Sequence, residues 1–183
     1  MFSDELKQGT AVAHMDLERK MIPHLKKIGS KMDYVRLLNY LLRFYHPLEE
    51  RLTPYLDGYP LQSHAGNILN DIRDMDPGYR EPAQWASHLP VIDSSAKALG
   101  VLYVLEGSTL GGQVITKMLT KQLEGTGVAA FRFYNPYDND TMPQWKLFKE
   151  RINQPLTSSQ QQAVIAGANE TFNSLNRWIS LYE

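Results

Sequence analysis

Leu99-Gly100-Val101-Leu102-Tyr103-Val104-Leu105-Glu106-Gly107-Ser108-Thr109-Leu110-Gly111-Gly112-Gln113-Val114-Ile115 is the run on which the fold turns. Its first half is apolar enough to be buried, and three glycines follow within six residues, at 107, 111 and 112. Bare backbone at that density means that something comes close to the chain. One reading is a strand that enters a phosphate-binding loop. The other is a long helix whose glycines make room for a flat ligand or a packed neighbour.

A phosphate loop needs a strand before it, a helix after it and an alternating strand-helix pattern around it. The neighbouring sequence reads as helix, and no Gly-Lys-Ser/Thr ending is present. In a helix the three glycines cost about 1 kcal/mol each relative to alanine, which implies a compensating contact. Gly107 and Gly111 fall one turn apart on one face, where a planar group or another helix can approach the backbone, and Gly112 favours a kink.

The chain around this run reads as a single domain over residues 1–183 and as all-α. From Asp4 to about Lys27, Leu6, Thr10, Ala13, Leu17 and Met21 recur at helical spacing with His14 on the same face. Ser30-Lys31-Met32-Asp33 resembles a capping box before a stripe of Tyr34, Leu37, Leu38, Leu41, Phe44, Tyr45, Leu48 and Leu52. Leu61 to about Met75 and, briefly, Glu81 to Leu89 are further helix expectations. Asp93 or Ser94 caps the element from Ala96 to Leu123, which contains no proline. Val128 to Tyr134 has no partner strand and reads as an ordered loop. Helices from about Pro143 to Asn153 and after the capping box Thr157-Ser158-Ser159-Gln160 close the chain.

A net charge of -1 gives no basic excess for nucleic acid. With no cysteine, thiolate metal sites, disulfides and cysteine nucleophiles are excluded. Met1 to Lys7 lacks the apolar run of a secretory signal, and no window is expected to span a bilayer, so a cytoplasmic protein is expected.

Of five histidines, His14 has Glu18 one turn on, where a carboxylate can accept the Nδ1 proton and leave Nε2 for a metal; surface pairs share this spacing. Lys7 lies about 10 Å away along the same face, suited to an anionic group remote from the metal. His24 suits a helix end, while His46, His64 and His88 read as lacking ligand partners.

Together these segments resemble the biliverdin-producing heme oxygenases, particularly the bacterial branch encoded with phytochromes. Leu102 to Gln113 is similar to the family's distal helix, and Leu6-Lys7-x-x-Thr10-x-x-x-His14-x-x-x-Glu18 to its proximal helix. Phe44-Tyr45-x-Pro47-Leu48-Glu49, Phe131-x-Phe133-Tyr134 and Trp145-x-x-Phe148 are similar to weaker family patterns. The resemblance implies a helical bundle with heme between a proximal N-terminal helix and a glycine-kinked distal helix. It implies His14 as the iron ligand, Glu18 as its partner, Gly107 and Gly111 as pocket backbone, and Lys7 and Lys149 toward the propionates, with Lys146 and Arg151 as neighbours. Phe172 is a candidate pocket wall.

The resemblance further implies that heme, as substrate and cofactor together, is degraded with dioxygen and electrons from an external donor such as a ferredoxin or flavoprotein reductase. Biliverdin, carbon monoxide and ferrous iron leave, with a biliverdin-using phytochrome as a candidate partner. Mammalian-type members carry an aspartate where this chain has Ser108, and a hydroxyl lacks a carboxylate's charge. A heme carrier or sensor that has lost turnover is the alternative function.

Overall fold

Six α-helices and two short 3-10 turns make up the computed structural model, which describes residues 1–182. In chain order they are α1 (Phe2–Lys26), α2 (Lys31–Leu52), α3 (His64–Met75), α4 (Ser95–Gln122), α5 (Thr141–Ile152) and α6 (Ser158–Ile179). No strand occurs among the described residues. Four helix starts are fixed by hydroxyl caps: the N–H groups of Asp33, Gly66, Lys97 and Gln160 donate to Ser30 Oγ, Ser63 Oγ, Ser94 Oγ and Thr157 Oγ1 at 3.1, 2.9, 3.3 and 3.2 Å. Each cap satisfies a donor that helical geometry leaves without a partner.

The core is built on α2, whose Tyr34, Leu38, Phe44, Leu48 and Leu52 are fully buried and continue through Pro47 without a break in the helix. Across it lies α6, tied by a reciprocal pair in which Trp178 Nε1 donates to the Tyr40 carbonyl at 3.0 Å and Tyr40 Oη donates to the Trp178 carbonyl at 2.7 Å. The other side of α6 takes α1, with Asn169 Nδ2 donating to the Gly9 carbonyl at 3.0 Å. Where α6 crosses α4, backbone meets backbone. A Cβ on Gly100 would lie 2.1 Å from the Val164 carbonyl oxygen, and one on Gly167 would lie 2.4 Å from that of Lys97. Close helix packing is therefore what Gly100 and Gly167 provide.

Three expectations are corrected. Residues 81–89 are not helical: the Ala86 N–H donates to the Arg43 carbonyl at 2.8 Å, and Arg43 Nε donates to the Gln84 carbonyl at 2.8 Å. That segment satisfies its backbone against α2 rather than within itself. The third helix begins at His64 rather than Leu61, because Ser63 caps it through the Gly66 N–H at 2.9 Å and Glu49 takes the N–H groups of His64 and Ala65 at 2.6 and 3.2 Å. Finally, α4 is long and apolar enough to cross a membrane by length and composition, since its glycines, serine and threonines weigh little against the apolar residues around them. Half of that window is buried inside the fold.

Val128 to Tyr134 is the expected loop. Buried Asp71 of α3 holds it by accepting the Arg132 and Phe133 N–H groups at 3.1 and 2.9 Å.

Candidate functional site

Two helices meet at their ends and part between them. Near one end of the shared stretch the Tyr103 phenol of α4 lies close to the Thr10 hydroxyl of α1, which donates to the Leu6 carbonyl at 2.8 Å. Near the other, Gln122 Nε2 donates to the Leu25 and Lys26 carbonyls at 3.5 and 3.0 Å. Between these fastenings α1 advances about 22 Å and α4 about 28 Å at helical rise, so α4 takes the longer course.

The residues at helical spacing between the fastenings are His14, Leu17 and Met21 on α1, and Gly107, Gly111, Val114 and Met118 on α4. Leu17, Met21 and Met118 are half-buried against the core, whereas His14, Gly111 and Val114 are exposed. The His14 side chain is 54% exposed and Val114 is 70% exposed, although apolar side chains at matching positions of packed helices are normally buried. A Cβ on Gly111 would meet no protein atom within 4 Å, and one on Gly107 would reach only the Trp145 ring, at 3.7 Å. Between the two contacts α1 offers an exposed histidine and α4 bare backbone, the two sides of an open cleft.

Neighbouring elements complete its walls. Phe172 of α6, itself buried, stands 5.2 Å from His14, ring centre to ring centre. On the α4 side of the same end, Tyr103, Trp145 and Phe148 form a run of rings at 5.8 Å spacings. Of the site candidates, His14 and Phe172 are in ring contact, while on α4 Gly107 lies beside the Trp145 ring and Gly111 is uncovered. Gly112 does not join them: its Cβ would lie 1.8 Å from the Tyr134 carbonyl oxygen, so it seats the 128–137 loop against α4. The backbone hydrogen bonding of α4 runs unbroken past it.

The remaining sequence candidates are placed as follows. His14 Nε2 lies 3.3 Å from Glu18 Oε1, so the nitrogen expected to be free is the one facing the carboxylate. Ser108 Oγ donates to the Leu105 carbonyl at 2.7 Å, which commits its proton to the helix and leaves an oxygen lone pair outward. Lys7 and Lys146 are exposed, and Lys149 is half-buried beside Phe148 on α5. Arg151 is engaged elsewhere, with its guanidinium 5.2 Å from the centre of the Tyr59 ring.

His46 corrects the sequence reading. It has Glu50 at the same spacing as His14 has Glu18, 3.6 Å away, but its ring lies tilted against Trp85 with centres 4.6 Å apart. Spacing alone did not separate the two pairs; position in the fold does. His64 has a partner too. It is buried, with Nε2 3.2 Å from the Leu105 carbonyl, an acceptor that fixes the proton on Nε2, and Nδ1 3.6 Å from Glu49. Burial pushes the Glu49 carboxyl up, yet hydrogen bonds from His64, Ser63 and Ala65 and the charge of His64 bring it net below the ordinary glutamate range.

Sequence reasoning missed Glu106. Only 2% exposed, it accepts hydrogen bonds from Tyr59 Oη at 2.8 Å and Tyr137 Oη at 2.9 Å. Burial, and then the charge of Glu106, raise both phenols above the ordinary tyrosine range. A carboxylate inside the apolar run of Val104 and Leu105 was the available signal. Among the described residues no three His, Asp or Glu side chains converge on a metal-sized site, so a metal here must bring most of its own ligands.

The heme oxygenase family model matches residues 60–180, about two thirds of the sequence. The chain belongs to the heme oxygenase family. A curated relative, heme oxygenase of Xanthomonas campestris pv. campestris (strain 8004), is 32% identical over 142 residues, 72% of this chain and 82% of that protein. Solved heme oxygenases share the fold. That of Leptospira interrogans has a TM-score of 0.75 at 20% identity and covers 98% of both chains. Heme oxygenase-1 of the cyanobacterium Synechocystis sp. PCC6803, solved in complex with heme, has a TM-score of 0.74 at 17% identity over 100% of this chain and 92% of its own. The NO- and CO-bound Neisseria meningitidis enzyme has a TM-score of 0.74 at 24% identity, covering 99% and 93%. The all-helical expectation is borne out, and heme degradation is the activity of this heme oxygenase.

Proposed function

We propose that this heme oxygenase binds heme in the cleft between α1 and α4, with His14 as the protein's iron ligand and Gly107 and Gly111 on the opposite face. The observation that carries this reading is an exposed imidazole on α1 and unclad backbone on α4, between a stretch where Tyr103 lies close to Thr10 and one where Gln122 bonds the end of α1. The donor set fits the group. A porphyrin supplies four nitrogens of its own, so one neutral imidazole suffices, and a flat apolar disc needs apolar walls with no side chain between it and one helix.

Phe172 holds the His14 ring from the α6 side. For Nε2 to reach iron the Glu18 carboxylate has to yield it, or the ring has to turn and give Glu18 the Nδ1 proton; in the turned ring Glu18 orients the imidazole. Lys7 and Lys149 supply cations for the carboxylate edge of the ligand. Ser108, its proton held by Leu105, accepts a hydrogen bond from a cleft water rather than donating one. Proton delivery on the α4 side therefore runs through water and backbone. Bound heme supplies both the iron that activates dioxygen and the ring that is opened.

The products are biliverdin, carbon monoxide and ferrous iron, with electrons from a ferredoxin or flavoprotein reductase in the cytoplasm and a biliverdin-using phytochrome as a downstream consumer. The test is to load the protein with hemin, add a reductant in air and follow the spectrum. Conversion of the heme bands to biliverdin is expected. A heme-protein spectrum that persists through repeated reduction would leave only a carrier or sensor.

A further inference from the structure

Glu106 lies one residue ahead of Gly107, yet its carboxylate is turned about a quarter of the way around α4 from the cleft. Among the described residues its only side-chain partners are two neutral phenols, from segments that are distant in sequence and flank the helix. Leucine would fill this position in an apolar run without the desolvation that a buried carboxylate suffers. What the carboxylate adds is direction.

Tyr59, bonded to Oε1, packs edge-on against Phe148 with ring centres 5.9 Å apart; Phe148 neighbours Trp145, and Trp145 is the ring over Gly107. Tyr137, bonded to Oε2, belongs to the loop that also touches Gly112 through Tyr134 and takes a hydrogen bond from Gln113 Nε2 to the Asp138 carbonyl at 3.3 Å. Two turns of α4 are thus gripped on the side next to the cleft. Successive helical residues differ by about 100°, so a grip at this point bears on which side of α4 is turned toward α1.

The geometry points to Glu106 as a positioning residue: through Tyr59 and Tyr137 it sets the rotation of α4 over the bound porphyrin and with it which meso carbon is cleaved. This rests on heme lying between α1 and α4. Glu106→Leu is expected to redistribute the biliverdin isomers severalfold, resolved by chromatography, and to shift the C–O stretch of the carbon monoxide complex. In Glu106→Gln the remaining carbonyl oxygen keeps one phenol, so the isomer pattern moves back toward the parent. Should Glu106→Leu fail to fold, the Tyr59→Phe/Tyr137→Phe double variant removes the same two hydrogen bonds and is expected to give the same redistribution. Unchanged isomers and C–O stretch in that double variant, with reduced resistance to urea alone, would reduce Glu106 to a stabilising contact and overturn the proposal. Val114→Trp, which fills the cleft, separates the two levels. It abolishes hemin binding if the site is right, whatever Glu106 does, and unimpaired binding by it overturns the site and this proposal together.

Discussion

Adjacent glycines in α4 should respond in opposite directions to the same methyl group. A Cβ at Gly111 meets no protein atom within 4 Å, so alanine there gains helix propensity without a steric charge, about 1 kcal/mol of stability. A Cβ at Gly112 would stand 1.8 Å from the Tyr134 carbonyl oxygen, which has to withdraw by about 1.6 Å before contact is ordinary. That carbonyl cannot move freely, because the residue before it donates its N–H to buried Asp71 at 2.9 Å. Overpacking against fixed backbone costs at the upper end of ~1–3 kcal/mol, and the propensity gain offsets about 1, leaving a net loss of about 2 kcal/mol.

The two variants should therefore differ by about 3 kcal/mol in urea unfolding of the protein without hemin, measured at unchanged m-value. At roughly 2–4 °C per kcal/mol for a chain of this size, Gly111→Ala melts a few degrees higher and Gly112→Ala about 4 to 8 °C lower. Hemin titration then reverses the ranking. Gly111→Ala places its methyl where the ligand lies and binds hemin more weakly in spite of its stability, a trade of function for stability. If Gly111→Ala destabilises the hemin-free protein as much as Gly112→Ala, the cleft is not open there, and the assignment of Gly107 and Gly111 to a ligand face is refuted.

His14→Ala should leave urea stability within about 0.5 kcal/mol, since the side chain is half exposed, while the heme complex loses its imidazole-ligated spectrum and regains it with added imidazole; an unchanged spectrum would move the iron ligand elsewhere. Phe172→Ala removes a buried ring and should cost about 3–5 kcal/mol, with the iron ligand field disturbed through His14; a stability loss below 1 kcal/mol would show that the wall is not packed as described. The Glu49 carboxyl titrates below its ordinary value of 4.5 in the folded protein, so its contribution is present above that pH and is lost as pH falls through the lower, folded value. Glu49→Gln should consequently lower stability at neutral pH by about 1–2 kcal/mol and flatten the acid limb of the stability curve; an acid limb of parental steepness would dismiss the linkage.

The helices were legible because their information is local. Hydroxyl caps at Ser30, Ser94 and Thr157 act over three residues, and the apolar stripe of α2 repeats at helical spacing, so both could be read without knowing what lies opposite. Residues 81–89 fail that condition, since their backbone partner is Arg43 on another helix. So does Glu106, whose donors are 47 and 31 residues away. The glycines of α4 show the limit best. Gly100 admits the backbone of α6, Gly112 admits a loop carbonyl, Gly107 lies beside a tryptophan ring and Gly111 meets open space, yet all four are the same residue in one uninterrupted helix. Glycine records that something comes close and carries no trace of what. His14 and His46 pose the same problem, each with a glutamate one turn on, and only their place in the fold separates the proposed iron ligand from the ring packed against tryptophan. A site of this kind is specified by two helices that decline to pack along a shared length, and that property belongs to the pair rather than to either sequence.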